Sequence, residues 1–210
     1  MTGLTLRFVE PMNGSHSRKD VTMSPPNSSS RLHTPASVDA SPEASRPLLE
    51  GVRKLLGTVP NLFRVVGNSP AALEGYLALL GALGKGRVDA KTRERLALVV
   101  ADANGCDYCL AAHTHLGGLV KLDAGEMSRN RSGGSEDPRA AAALRFAARV
   151  VEQRGAVTDA DVRAVKEAGW DDGQIIELVL HVALNTLTNY VNLVAQTVVD
   201  FPTAAPRKAA

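Results

Sequence analysis

The stretch DAKTRERLALVVADANGCDYCLAAH, residues 89–113, decides how the rest of the chain is read. Asp89 has the chemistry of an N-cap, and Leu96, Leu98, Val99 and Val100 give Ala90 to Ala103 an apolar face at helical spacing. Asn104-Gly105 breaks that helix, and a second one starts near Cys106 and runs to about Val120. Two helices therefore follow one another directly, with both cysteines of the chain at their junction.

The same pattern extends outward on both sides. Upstream, Leu48, Leu49, Val52, Leu55 and Leu56 are helically spaced and Gly57 ends the segment. Pro60 to Val66 reads as a short helix stopped by Gly67-Asn68. Ser69 caps a further helix with Pro70 at its first position, through Leu73, Leu77, Leu80 and Leu83 to Gly84. Downstream, a loop holds Ser132-Gly133-Gly134-Ser135. Helices are predicted at about 138–154, 158–168 and 172–198, with Thr158 and Asp171 or Asp172 as caps and Gly155 and Gly169 as breaks. No segment alternates with period 2, so the fold class is all-α, a compact helical bundle. A weak internal repeat aligns Asp89, Glu94, Cys106, Cys109 and His113 with Asp172, Glu177, Asn189, Asn192 and Gln196. It would divide the bundle into two pseudo-repeated halves, although two amphipathic segments match this well by coincidence.

Composition agrees with a helical protein. Of the 210 residues 44% are apolar and 22% charged, while aromatics are only 4% and Ala, Leu and Val abound. A formal net charge of +2 gives no case for nucleic acid or an anionic membrane. The absence of an apolar run of about 18 residues predicts no membrane span, and the first 30 residues lack the apolar core of a secretory signal. Residues 1–45, including Ser-Pro-Pro-Asn-Ser-Ser-Ser at 24–30, read as a disordered arm dispensable for the fold. A Ser- and Arg-rich transit segment would look similar, and Met23 offers a second start. The expected division is the arm 1–45, a helical domain 46–203 and a short disordered tail 204–210.

Two cysteines three residues apart close too small a loop to staple a fold. In a chain with no other thiol they read as catalytic or metal-binding, in a reducing compartment, hence cytoplasmic. At about 100° per residue, Cys106, Cys109 and His113 share one stripe of one helix, and His115 faces the opposite way. Zinc would want four ligands, and Cys106, Cys109 and His113 supply three. Thiol redox needs two sulfurs and a means of making thiolate, with no cofactor or metal. A helix start at Cys106 favours a thiolate there. His113, four residues after Cys109 and oriented by a buried Glu94, would instead take the proton of Cys109. Spacing leaves the attacking sulfur open.

The spacing Glu94-x11-Cys106-x2-Cys109-x3-His113 resembles the alkyl hydroperoxidase D / carboxymuconolactone decarboxylase family in its peroxidase-related branch. The flanking stretches 56–63, 104–109 and 181–189 resemble it as well, and the likeness covers about 48–202. The resemblance implies an all-helical fold, homo-oligomers, and reduction of hydroperoxides with a dithiol reductant of the dihydrolipoamide or thioredoxin kind. It implies Cys109 as the peroxide-attacking thiol, Cys106 as the resolving thiol, and His113 and Glu94 as the proton relay. Well-studied peroxidases of this family carry a second histidine just before the latter cysteine. Tyr108 stands there, which weakens the implied relay. Decarboxylase members generally lack the cysteine pair, which disfavours that activity. The rival reading is a redox-sensing, disulfide-switch helical protein without significant turnover.

Other side chains invite blander roles. Glu94 would pair with Arg93 or Arg95 if the cysteines were absent. His115 reads as surface, and His181 as a satisfied core histidine. Asn185, Asn189 and Asn192 line one side of a late helix, suited to bonds between helices or subunits with a minor claim on the site. Tyr108 and Trp170 read as packing residues. A single layer of helices this rich in Leu, Val and Ala leaves an apolar face that a second copy would cover.

Overall fold

In a computed structural model of the chain, the described residues are 30–202 and 204. Among them there are nine α-helices and no strand, as the periodicity requires. Pro47 opens α1 (Arg46–Leu56), which ends at a left-handed Gly57. A short α2 (Asn61–Val66) follows, and Ser69 caps α3 (Pro70–Leu83) by accepting from the Ala72 amide. Asp89 caps α4 (Ala90–Asn104), which leads into α5 (Asp107–Leu119). Then come α6 (Ala124–Arg131), α7 (Pro138–Glu152), α8 (Asp159–Glu167) and α9 (Asp172–Ala195).

α4 is the hub, packed against α5, α6, α7 and α9. Its apolar residues serve two clusters. Leu98 and Ala101 join Leu49, Val52, Phe63, Leu73, Tyr76, Tyr108 and both cysteines. Leu96, Val99 and Val100 join Leu144, Phe146, Val165, Trp170 and Leu178. Trp170 is the packing residue expected, its indole N–H donating to the Arg139 carbonyl at 2.9 Å.

The junction of α4 and α5 positions the site. Gly105 takes φ 71°, a left-handed conformation that costs a glycine little. The Gly105 and Cys106 amides donate back to the Asp102 and Ala101 carbonyls at 3.1 and 2.9 Å, the pattern of a Schellman stop. Cys106 then serves as the N-cap of α5. The chain thus turns within one residue from the end of one helix to the cap of the next.

Three expectations are corrected. The segment read as a loop contains α6, whose polar sequence gives no apolar period. Glu126 holds it from within: buried at 3% exposure, it accepts from Arg95 Nε at 2.9 Å, Asn130 Nδ2 at 3.1 Å and the Glu136 amide at 3.0 Å. Burial alone would raise its pKa, but these donors and Ser135 outweigh that and lower it to about 2. The second correction concerns the arm. Residues 1–29 lie outside the described residues, whereas 30–45 are docked. Val38 is core at 3% exposure, Ser45 Oγ donates to the Gly67 carbonyl at 2.7 Å, and Arg64 Nη1 donates to the Pro35 and Ala36 carbonyls at 3.0 and 2.8 Å. The third is the repeat. Asp171 caps α9, Asp172 is already inside it, and α9 runs unbroken where α4 and α5 separate, because Thr188 stands where Gly105 makes the turn.

By length and composition α9 could cross a membrane, but half of its apolar stretch is buried within the fold. Beyond it, residues 197–201 fold back over the site side. Asn61 Nδ2 donates to the Val198 carbonyl at 2.9 Å, and the Asn61 amide donates to Asp200 at 2.8 Å. Of the tail assigned to 204–210, Ala204 packs against the first cluster and the remainder lies outside the described residues.

Candidate active site

Cys106 and Cys109 are free thiols, 1% and 2% exposed. As the cap of α5, Cys106 turns its sulfur toward the first turn, where Sγ accepts from the Cys109 amide at 3.3 Å. The two sulfurs are themselves hydrogen-bonded. That bond is the largest influence on both: with Cys106 as donor, it raises the Cys106 thiol and lowers Cys109 to about 7. Burial opposes the lowering of Cys109, while Asn192, the charge of His113 and Asn189 add to it. The helix start and the histidine had pointed to different sulfurs. In the folded chain the contacts that favour a thiolate, from the Cys106 thiol, the Asn192 amide and the charge of His113, converge on Cys109.

Glu94 on α4 and His113 on α5 meet as the spacing suggested, with Nδ1 to Oε2 at 2.8 Å. Their side chains are 21% and 19% exposed for His113 and Glu94, enough contact with solvent to exchange protons. Burial disfavours the imidazolium, but the charge and hydrogen bond of Glu94, joined by the charge of Cys109, raise the His113 pKa. Arg95, offered as the bland partner of Glu94, is committed to Glu126, and Arg93 Nη1 donates to the Val88 carbonyl at 2.8 Å. Glu94 is left to the histidine.

The remaining candidates divide. His115 is exposed, its ring against Phe201. His181 is buried but not satisfied. Its Nε2 has no hydrogen-bond partner, and burial first, then the charge of Arg93, lowers it to about 4. Tyr108 does more than pack: its hydroxyl accepts from the Leu62 amide at 3.1 Å and donates to Asp200 at 2.8 Å, tying α2 and the returning C-terminal segment to the turn that holds the sulfurs. Asn192 reaches across from α9 to donate to Cys109 Sγ at 3.3 Å. The sequence signal for it was only the helical spacing of Asn185, Asn189 and Asn192. Among the described residues, no group of three or more His, Cys, Asp and Glu side chains gathers as metal ligands.

Comparison with known proteins adds three findings. The model of the carboxymuconolactone decarboxylase family matches residues 70–149, from α3 into α7. An uncharacterized protein of Haemophilus influenzae is 49% identical over 45 residues, 21% of this chain and 40% of that protein, so the match spans well under two thirds of its length. Among solved structures, an uncharacterized peroxidase-related protein from a Silicibacter species superposes with TM-score 0.72 at 24% identity, covering 84% of this chain and 94% of the other. An alkylhydroperoxidase core, also described as peroxidase-related, from Ralstonia eutropha gives 0.73 at 24% identity, covering 81% and 92%. A debrominase solved with 2,3,4-tribromopyrrole gives 0.68 at 17% identity, covering 80% and 90%. At such identities the likeness is one of fold.

Proposed function

We propose that this chain is a member of the carboxymuconolactone decarboxylase family, in its peroxidase-related, alkyl hydroperoxidase D-like branch, and that it is a thiol-dependent peroxidase that reduces hydroperoxides. The observation that carries the proposal is the arrangement around Cys109: a second buried thiol, Cys106, in contact with it at the cap of α5, the Asn192 amide donating to its sulfur at 3.3 Å, and a solvent-touching Glu94–His113 pair one turn along the helix.

In this reading the Cys109 thiolate attacks one oxygen of the hydroperoxide. The S–O bond forms, the O–O bond breaks, and the alkoxide leaves with a proton from His113. Glu94 accepts a hydrogen bond from Nδ1–H and so keeps Nε2 available to carry the proton delivered to the alkoxide. Cys106 then attacks the sulfenic sulfur. A disulfide forms, and hydroxide leaves with the Cys106 proton as water. A dithiol of the dihydrolipoamide or thioredoxin type restores both thiols. A reducing compartment, the cytoplasm, suits this cycle. The exposed apolar stripe of α9, Ile176, Val179, Leu187, Tyr190 and Val194, is assigned to a second copy of the chain.

The test is peroxide consumption with each dithiol donor. Turnover that vanishes in both Cys109→Ser and Cys106→Ser is the expected result. A disulfide that forms with peroxide but is never recycled at more than one equivalent would favour the disulfide-switch reading instead.

A further inference from the structure

Asparagines from α9 surround Cys109 in a way the relay does not use. Asn189 is 0% and Asn192 3% exposed, three residues apart on the face turned to α4 and α5. Asn192 Nδ2 donates to Cys109 Sγ at 3.3 Å, and a thiolate, which only accepts, requires that end of the amide. Asn192 Oδ1 is buried and has no partner. Asn189 is the complement: its Oδ1 accepts from Asn104 Nδ2 at 2.9 Å, which fixes the orientation, and its Nδ2 is buried with no partner. Asn189 nonetheless lies near enough to Cys109 to favour its thiolate. Buried polar atoms are almost always paired. One spare donor and one spare acceptor beside a single sulfur fit a group that both accepts and donates.

We propose that Asn192 and Asn189 form an amide cradle for Cys109, in which Asn192 holds the thiolate and the two spare atoms, Asn189 Nδ2 and Asn192 Oδ1, bind the oxygen that the sulfur takes from peroxide. The inference rests on the peroxidase reading for its oxygen half and stands apart from it for its thiolate half. When the S–O bond forms and the O–O bond breaks, the sulfur is oxidised and the peroxide reduced, and the transferred oxygen stays on Cys109 as a hydroxyl. That hydroxyl accepts from Asn189 Nδ2 and donates to Asn192 Oδ1. The leaving oxygen departs as alcohol with the proton from His113. When Cys106 displaces the hydroxyl as water, both amide atoms are vacated and the cradle returns to its starting state.

The background for the test is the full chain with Cys106→Ser, which leaves one thiol. The first measurement is the pH dependence of iodoacetamide alkylation, which needs no peroxidase activity. Asn192→Leu should move the midpoint of Cys109 upward by about one unit, a loss of about tenfold in thiolate at neutral pH. An unchanged midpoint overturns the thiolate half. Should leucine prevent folding, Asn192→Ala removes the same donor with less bulk and is read the same way. The second measurement is sulfenic acid formation with hydrogen peroxide, trapped by dimedone, at a pH above every variant's midpoint so that thiolate is no longer the variable. Asn189→Leu should slow it about tenfold or more, the size of a lost oxygen-holding donor. An equal rate overturns the oxygen half. Failure of the single-thiol protein to form sulfenic acid with any hydroperoxide ends the peroxidase reading and the oxygen half with it, while an alkylation shift in Asn192→Leu would still establish the thiolate anchor.

Discussion

Glu94 and Arg95 are sequence neighbours on α4, yet each belongs to a different kind of charge pair. Arg95 enters a closed network. Its partner Glu126 is 3% exposed and accepts from the Arg95, Arg129, Asn130 and Ser135 side chains and from the Glu136 amide. Every lone pair there is spoken for, and the carboxyl stays ionised down to about pH 2. Glu94 has one side-chain partner, His113, and both touch solvent. A saturated carboxylate fixes geometry and cannot exchange protons at ordinary pH. A singly bonded one beside an imidazole can move a proton without breaking anything else. One turn of one helix thus carries a saturated ion pair on one side and, on the other, a singly bonded carboxylate–imidazole pair with the chemistry a proton relay needs, and the number of hydrogen bonds tells them apart.

Replacing the sulfur itself should have the largest effect. Cys109→Ser should abolish peroxide turnover while leaving the melting temperature almost unmoved, since the change trades one small buried atom for another. Residual turnover at a substantial fraction of wild type would transfer the role to Cys106. Arg95→Met should do the reverse. Removing one partner of a buried pair costs about 3–5 kcal/mol, read as a lower midpoint in urea, with the activity of the folded fraction retained. The same network sets the acid limit. Glu126 is held at about 2 against an ordinary 4.5, so its contribution is complete above pH 4.5 and is lost progressively as pH falls toward 2. In Arg95→Met that acid transition should begin at higher pH. An Arg95→Met protein that loses activity without losing stability would break the contrast between the two pairs.

Next come the relay residues. Glu94→Gln and His113→Ala should each lower turnover by about 10²–10⁴ at neutral pH with little change in stability. In wild type the alkylation rate of Cys109 should rise through pH about 7. His113→Ala should shift that rise upward, because the charge of His113 is one of the influences that lower the thiol. Its deficit in turnover should therefore shrink toward pH ~8.5, where solvent removes the proton unaided. The stability link runs the other way from Glu126. The His113 pKa is raised, so the stability it lends is complete below about pH 6.5 and fades as pH rises past the folded value. An equal fractional loss of turnover at high and neutral pH would remove His113 from the role of base.

A smaller effect is expected where the sequence was least readable. A chain starting at Ala44 loses Val38 from the core together with the carbonyls that Arg64 grips, and should melt roughly 5–10 °C lower, corresponding to about 2–3 kcal/mol. Nothing in residues 30–45 announces this, because much of the docking runs through backbone carbonyls, and every residue type has one. The helix α6 was hidden for a related reason: its stability comes from Arg95, far away in sequence, rather than from its own periodicity. By contrast α4, α5 and the break between them were legible almost to the residue, since Asp89, Asn104 and Gly105 act locally. That Cys109 and His113 share one face of α5 was legible from helical geometry, while Cys106, expected on the same stripe, stands just before the helix as its cap. The contribution of Asn192, 83 residues from Cys109, depends on how α9 is laid against α5, which no local spacing encodes.

The least effect is expected of His115, which sharpens the whole comparison because it shares a helix and a residue type with His113. Two residues along a helix turn the side chain by about 200°, so the two imidazoles leave α5 in nearly opposite directions. His113 lands on Glu94 and within reach of the charge on Cys109, while His115 is exposed, with its ring against Phe201 at 5.9 Å between centroids. His115→Ala should change stability by less than about 0.5 kcal/mol, as surface substitutions do. It should leave both the turnover and the pH midpoint of Cys109 where they are in wild type. The measurement is the alkylation and turnover profile of His115→Ala beside that of His113→Ala. If both variants move the midpoint alike, the influence on the sulfur is a general one of positive charge near α5, and the pairing with Glu94 has no special part in it. If only His113→Ala moves it, the effect belongs to the one imidazole that the helix turn delivers to the carboxylate.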